Sequence, residues 1–420
     1  MKTATAATKT ATAALENNIG SGWWAKRQLQ MVNKVLAPLS NAARGVLRLT
    51  LPNGNSVEFG EHPCEHLNPV IVLHNWKAVR KVFTGGDLGW SEAYMDGDWD
   101  SPDIATLVEW IVVNEDNFGG MLDSGKVEGA FQKWRHQRNA NSKRGSRRNI
   151  SYHYDLGNEF YQHWLDPSMT YSAAYFTSEH QTLAEAQYAK YQRIIDFLDI
   201  KDGDSILEIG CGWGGFAEQL CRQKKVLLHG ITLSERQLEF AQRRLNNADT
   251  MGTADFALTD YRDAVGEYDH IVSIEMLEAV GEKYWPTYFD TVYKRLKPGG
   301  KASIQVITIE DKRFEPYSSS PDFIQTYIFP GGMLPTPDIF KEQATSAGLT
   351  VTDEEAFGMG YARTLRHWRD AFQQRWEDIA PLGFDKCFQR MWHYYLTYCE
   401  GGFRGNSIDV YQFVLEKPTA

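Results

Sequence analysis

Cysteine is scarce in this 420-residue chain, and the five present (Cys64, Cys211, Cys221, Cys387, Cys399) lack any ordered spacing. They form no C-x-x-C pair and no metal-ligand pattern, which argues against a zinc module and against a disulfide framework. An odd, scattered set in a large chain reads as reduced thiols, and therefore as a cytoplasmic protein. Long apolar runs are missing too, so no segment is expected to cross a bilayer. The Ala/Thr-rich start, MKTATAATKTATAALENN, has no continuous apolar core for a signal peptide, and residues 1–22 read as a disordered tail. Positive charge is in short supply: the formal net charge is −10, which argues against a general nucleic-acid binder. No internal repeat is visible.

Aromatic residues, by contrast, are plentiful, with 13 Trp, 20 Tyr and 21 Phe, enough for packed cores and for aromatic-lined pockets as well. The length suits two domains. Residues 23–39 carry Trp24, Leu29, Val32, Val35 and Leu36 at helical spacing with basic residues between them. That pattern fits a helix docked on its own domain or, alternatively, a helix lying on a membrane surface. Two β-like runs, Val46–Leu49 and Val70–His74, flank the Pro52-Asn53-Gly54 turn, and a helical pattern follows the acidic and aromatic stretch after residue 85. Residues 23–131 are therefore expected to form a small α+β module. Residues 132–149, with seven Lys or Arg between Lys133 and Arg148, read as a linker that could also meet acidic lipid headgroups.

From residue 200 onward strand and helix alternate, the pattern of a doubly wound, mostly parallel α/β sheet occupying 150–420. The expected strands are 205–209, 226–231, 254–258, 269–274 and 301–307. The first runs into Gly210-Cys211-Gly212-Trp213-Gly214-Gly215, a G-x-G-x-x-G turn at Gly210, Gly212 and Gly215 that opens a helix. Such a turn lets a nucleotide approach the backbone, although tight helix–strand packing also asks for glycine. No Lys-Ser/Thr follows the glycines, so this is not a P-loop. The second strand ends in Gly230-Ile231-Thr232-Leu233-Ser234 without the acidic residue of a dinucleotide site. A sulfonium cofactor fits a loop with no basic residue better than a pyrophosphate does.

The segments 153–176 (HYDLGNEFYQHWLDPSMTYSAAYF), 207–218 (LEIGCGWGGFAE), 230–237, 259–263 (TDYRD), 327–335 (YIFPGGMLP), 360–372 and 394–404 resemble the cyclopropane-fatty-acyl-phospholipid synthase family. The likeness extends back through 85–99, which is similar to that family's lipid-associated N-terminal module. It implies a seven-stranded Rossmann-like methyltransferase domain that uses S-adenosylmethionine to modify the cis double bond of an acyl chain in a membrane phospholipid. Peripheral attachment to the inner face of the membrane is expected from the segment 23–39 and the basic linker, set against the overall acidic charge. By position, Gly210 and Gly212 would pass beneath the cofactor's methionine part, and Tyr171 and Ser172 would close over it. Thr232, Leu233 and Gln237 would face the ribose, and Asp260 with Tyr261 the adenine.

That family commonly holds a bicarbonate as base, on a Cys, a Glu-His pair, a strand His and a Tyr. Here Ala173 replaces the Cys, Glu278 is kept, Ala279 replaces the His beside it, Gln305 stands at the strand position and Tyr361 is kept. Bicarbonate thus stays open, with Glu278, Tyr361 and Gln305 as holders. The alternative is that the carboxylate of Glu278 or Glu275 takes the proton directly. Changed base geometry leaves two products open, a cyclopropane or a methyl-branched or methylene chain. Relatives making the latter also carry E-A-V-G and Gln at these places. Two other readings compete: a methyltransferase for a different small lipophilic substrate, and a non-catalytic lipid-binding relative. Whether the chain forms a homodimer is also left open.

Overall fold

The computed structural model describes residues 23–119 and 156–419. The expected tail (1–22), the end of the module (120–131), the basic linker (132–149) and the first residues of the motif at 153–176 lie outside these. The chain divides into two compact units, one formed by residues 1–134 with 383–407 and the other by 135–382 with 408–420.

In the first unit a four-stranded sheet has the order β2-β1-β3-β4, with β1 Leu47–Thr50, β2 Ser56–Phe59, β3 Val70–Leu73 and β4 Trp99–Asp100. β1 and β2 are antiparallel, joined through the expected Pro-Asn-Gly turn. The helix Trp23–Leu36 forms as the spacing predicts, and Val32 and Leu36 are buried, so at least this part of its apolar stripe faces protein. One boundary needs correcting. Helix Lys386–Arg404, expected within the 150–420 domain, packs on helices Ile104–Asn114 and Lys77–Met95 of the first unit. The reason is steric and apolar: a Cβ on Gly401 would lie 2.5 Å from Cβ of Val108, so the two helices touch backbone to side chain. Trp392, Tyr394, Tyr395, Leu396 and Phe403 are buried along the same helix.

The second unit is built on a seven-stranded sheet of order β10-β11-β9-β8-β5-β6-β7. Its strands are β5 Ser205–Ile209, β6 Leu227–Thr232, β7 Thr253–Leu258, β8 Tyr268–Ile274, β9 Leu296–Ile309, β10 Thr350–Ala356 and β11 Ile408–Glu416. β7-β6-β5-β8-β9 are parallel, and β11 runs antiparallel between β9 and β10. All five strands read from the sequence are present. β10 (TVTDEEA) escapes hydropathy because it is a mostly polar edge strand. Apolar side chains of β5 and β8 are buried on both faces, in two clusters that sandwich the sheet, and β9 adds Ala302, Ile304 and Val306 to one of them. The chain order β7-β6-β5-β8 puts the turns after β5, β6, β7 and β8 along one carboxyl edge, where open α/β sheets bind ligands. Among the described residues no helix is long and apolar enough to cross a membrane.

Candidate active site

Gly210, Gly212 and Gly214 all take positive φ (82°, 53° and 79°), and this lets the chain turn sharply from β5 into helix Gly215–Gln223. A Cβ on Gly212 would meet nothing within 4 Å, so the loop leaves open space above its backbone. The third motif glycine behaves differently, because a Cβ on Gly215 would lie 3.1 Å from the Tyr191 hydroxyl. Gly212 therefore offers a cradle and Gly215 serves close packing. The open cradle, with no cationic side chain in its motif, fits a sulfonium-bearing ligand.

Neighbouring turns supply the other expected cofactor residues. Thr232 and Gln237 are buried and hydrogen-bonded to each other at 2.9 Å, and Ser234 caps helix Glu235–Asn246. Leu233 lies between them, half-buried. Asp260 gives both carboxylate oxygens to Arg262, at 2.7 and 2.6 Å, so its charge is already matched. Tyr261 is buried with its hydroxyl unpartnered, and burial pushes that hydroxyl up to about 12. Tyr171 packs among Tyr161, Trp164 and Trp368, with ring centroids 5.2–5.5 Å apart, and Tyr361 meets Trp368 edge-on at 6.1 Å. Ser172 is buried and receives a hydrogen bond from the Lys190 ammonium at 2.5 Å.

Three of the five positions expected around a base converge, but on Glu275 and not on Glu278. One oxygen of Glu275 accepts from the Ala173 N–H (2.8 Å) and the Gln305 amide (2.7 Å), and the other accepts from the Tyr361 hydroxyl (2.7 Å). Glu275 reaches this place because it follows β8 in a left-handed backbone, φ 50°, while its own N–H donates to the Gln305 carbonyl. Such a conformation costs a non-glycine residue about 1–2 kcal/mol and is typical of functional positions. Tyr361 arrives on the first turn of helix Gly358–Gln374, which is tied to the Ala173 segment by the Ala174 N–H donating to Thr364.

Desolvation pushes the Glu275 carboxyl above its ordinary range, opposed by the Tyr361, Ala173 and Gln305 hydrogen bonds and by the nearby Lys190 charge. Lys190 is wholly buried and is held well below a normal lysine by desolvation, against the pull of Glu275 and Asp166. Glu278 faces elsewhere: one oxygen accepts from the Ile307 N–H at 2.6 Å and the other is buried without a partner. Desolvation, reinforced by Glu275, raises Glu278 to about 8, so it is mostly protonated at neutral pH. Sequence reasoning missed Lys190 and Gln187, whose amide donates to the Ser172 carbonyl. The signal was there, as polar side chains at 187, 190 and 193 recur every three residues beside the apolar Ile194 and Ile195 on helix Leu183–Leu198.

A glycine cradle on the first crossover, aromatic walls and a carboxyl edge ending in a caged carboxylate define a Rossmann-like, S-adenosylmethionine-dependent methyltransferase. The chain belongs to the mycolic acid cyclopropane synthetase family, whose model matches residues 141–413. It is 36% identical over 362 residues to the tuberculostearic acid methyltransferase UfaA1 of Mycobacterium tuberculosis, covering 83% of each chain. It is 34% identical to the cyclopropane-fatty-acyl-phospholipid synthase of Escherichia coli, covering 83% of this chain and 87% of that one. The solved mycolic acid cyclopropane synthase CmaA1, complexed with SAH and CTAB, superposes with a TM-score of 0.61 at 32% identity, over 64% of this chain and 98% of that one.

Proposed function

We propose that this chain methylates a carbon of the cis double bond in an unsaturated phospholipid acyl chain, and that Glu275 accepts the proton released. The observation that carries this is the Glu275 carboxylate, held by three donors at the carboxyl edge of the sheet. Bound at the glycine loop, S-adenosylmethionine supplies an electrophilic methyl group. The residues here have three tasks: to hold the alkene in line with that methyl, to stabilise the cation left on the acyl chain, and to remove one proton. The faces of Tyr171, Trp368 and Tyr361 suit the second task, as aromatic rings do for any cation. Glu275 suits the third: desolvation raises its carboxyl and makes it a stronger base than in water, while its three donors and the Lys190 charge oppose that rise. Proton loss from the transferred methyl closes a cyclopropane or, after a hydride shift along the chain, leaves a methylene branch, and loss from a chain carbon leaves a methyl-branched alkene. A bicarbonate does not fit, since the Ala173 N–H, Gln305 and Tyr361 are already taken by one carboxylate and a second anion would be repelled by it. No step is routed through that ion.

Vesicles of unsaturated phospholipid incubated with methyl-labelled cofactor should gain label in the acyl chain, with mass and proton NMR separating ring from branch. No incorporation would defeat the reading. Attachment to the membrane surface is part of the proposal, supported by the basic run 132–149. Co-sedimentation with anionic vesicles that weakens with added salt would bear it out.

A further inference from the structure

A row of polar residues crosses the second unit's sheet at one register. Glu355 of β10 pairs with Gln412 of β11, Gln412 pairs with Gln305 of β9, and Gln305 pairs with Ile274 of β8, the residue before Glu275. Partners at one register share a face, so the side chains of Glu355, Gln412 and Gln305 lie side by side across the sheet. Gln305 and Gln412 are almost fully buried, and helix Leu183–Leu198 lays Arg193 over the same row.

The bonds along this row have a direction. Arg193 Nε donates to Gln412 Oε1 at 2.9 Å, Gln412 Nε2 donates to Gln305 Oε1 at 2.9 Å, and Gln305 Nε2 donates to Glu275 Oε1 at 2.7 Å. A guanidinium can only donate and an ionised carboxylate can only accept, whereas a glutamine amide can be turned either way. The two ends therefore dictate the polarity of both amides between them. Arg193 is itself anchored by Glu355 at 2.5 Å, which also accepts from Tyr175, and lies over the Phe197 ring at 4.1 Å.

We propose that Arg193 and Gln412 are positioning residues that lock the Gln305 side chain with its NH2 end toward Glu275. No proton travels along the row; it transmits orientation. Flipping Gln305 would put its carbonyl oxygen against the Glu275 carboxylate, favouring the protonated acid and disabling the base. The other charged or titratable groups near Glu275 are Lys190 on the same helix as Arg193, Tyr361 on helix Gly358–Gln374, and Glu278 three residues along, all untouched by changes at 193 or 412.

The test is Gln412→Glu, which beside Arg193 accepts and cannot donate, and so calls for the flipped Gln305. The titration midpoint of Glu275 is read directly from the carboxyl carbon of 13C-glutamate-labelled enzyme, assigned by loss of its signal in Glu275→Gln. The midpoint is expected to rise by at least one pH unit, and by a smaller amount in Arg193→Met, which keeps the test available should the buried change impair folding. Added charge alone would also raise it, so the cycle is completed in Gln305→Met: with no amide to turn, the effect of Gln412→Glu should fall by at least half. An undiminished effect there, or unmoved midpoints in both Gln412→Glu and Arg193→Met, would overturn the proposal. The kinetic counterpart rests on Glu275 being the proton acceptor: the acid limb of kcat should shift with the midpoint while KM for S-adenosylmethionine stays put. A midpoint that moves without the acid limb supports the lock and refutes Glu275 as the base.

Discussion

At the scale of single residues, two carboxyl groups three positions apart are driven to different ends. Glu275 collects three hydrogen bonds and sits near a buried ammonium, while Glu278 has one N–H and an unpartnered oxygen. Glu275→Gln should lower methyl transfer by about 10²–10⁴-fold, the usual value of a positioned base, with cofactor affinity changed only a few-fold in a binding titration. Tyr361→Phe removes one of three donors to an ionised group, worth about 1.5–3 kcal/mol, so the acid limb of the rate profile should move alkaline by about one to two units. The direction follows from the chemistry: a base must be ionised, losing a donor raises its pKa, and activity is then lost at a higher pH. Glu278 bears on stability instead. Its folded-state value of about 8 lies above the unfolded carboxyl, so the folded protein binds this proton more tightly. Stability is then unaffected by this group at low pH and is lost as pH climbs from the unfolded value through 8. Glu208, buried and also raised to about 8, adds to the same slope. Thermal unfolding of Glu278→Gln should consequently show a smaller fall in Tm between pH 5 and pH 8 than the parent.

At the scale of elements, the turn after β5 and the helix after it separate two uses of glycine. In Gly212→Ala the added Cβ meets no atom of the folded protein within 4 Å, so its cost to stability is the strain of φ 53°, about 1–2 kcal/mol. Its cost to cofactor affinity should be far larger, because the side chain fills the cradle, and a calorimetric titration would read a loss of tenfold or more. Helix Leu183–Leu198 does more than cover the sheet. Its start is fixed by a Thr182–Glu185 capping box, and from there it delivers Gln187, Lys190 and Arg193 to one buried row. The apolar spacing of this helix specifies a buried face, but not which of its polar side chains share it. Burial depends on what lies opposite, and the Ser172 turn and β11 come from 10 residues before it and more than 200 after it.

At the scale of the molecule, helix Lys386–Arg404 belongs to the first unit while β11, only a few residues later, completes the sheet of the second. Removing residues 1–134 alone would bare the helix face that carries His393, Tyr394 and Gly401, which meet Tyr94, Trp99 and Val108. That truncation should aggregate in size-exclusion chromatography, whereas one that also replaces 383–407 by a short polar linker should stay soluble, since β11 is retained.

The alternation of strand and helix, the glycine turn and the motif segments are local patterns, and local sequence determined them: five strands, the crossover that carries the glycine loop, and the family are all readable from the order of residues. Tertiary structure alone decided which carboxylate is caged by three donors. Glu275 and Glu278 are nearly equivalent in sequence, and only a left-handed turn after β8, meeting the Ala173 N–H, Gln305 and Tyr361 from three distant segments, sets one apart. The same holds for the helix at 386–404, whose pattern specifies a buried face but not its partner. Periodicity is written in neighbouring residues, while hydrogen-bond partners and desolvation come from chain segments that are remote in sequence and adjacent only once folded.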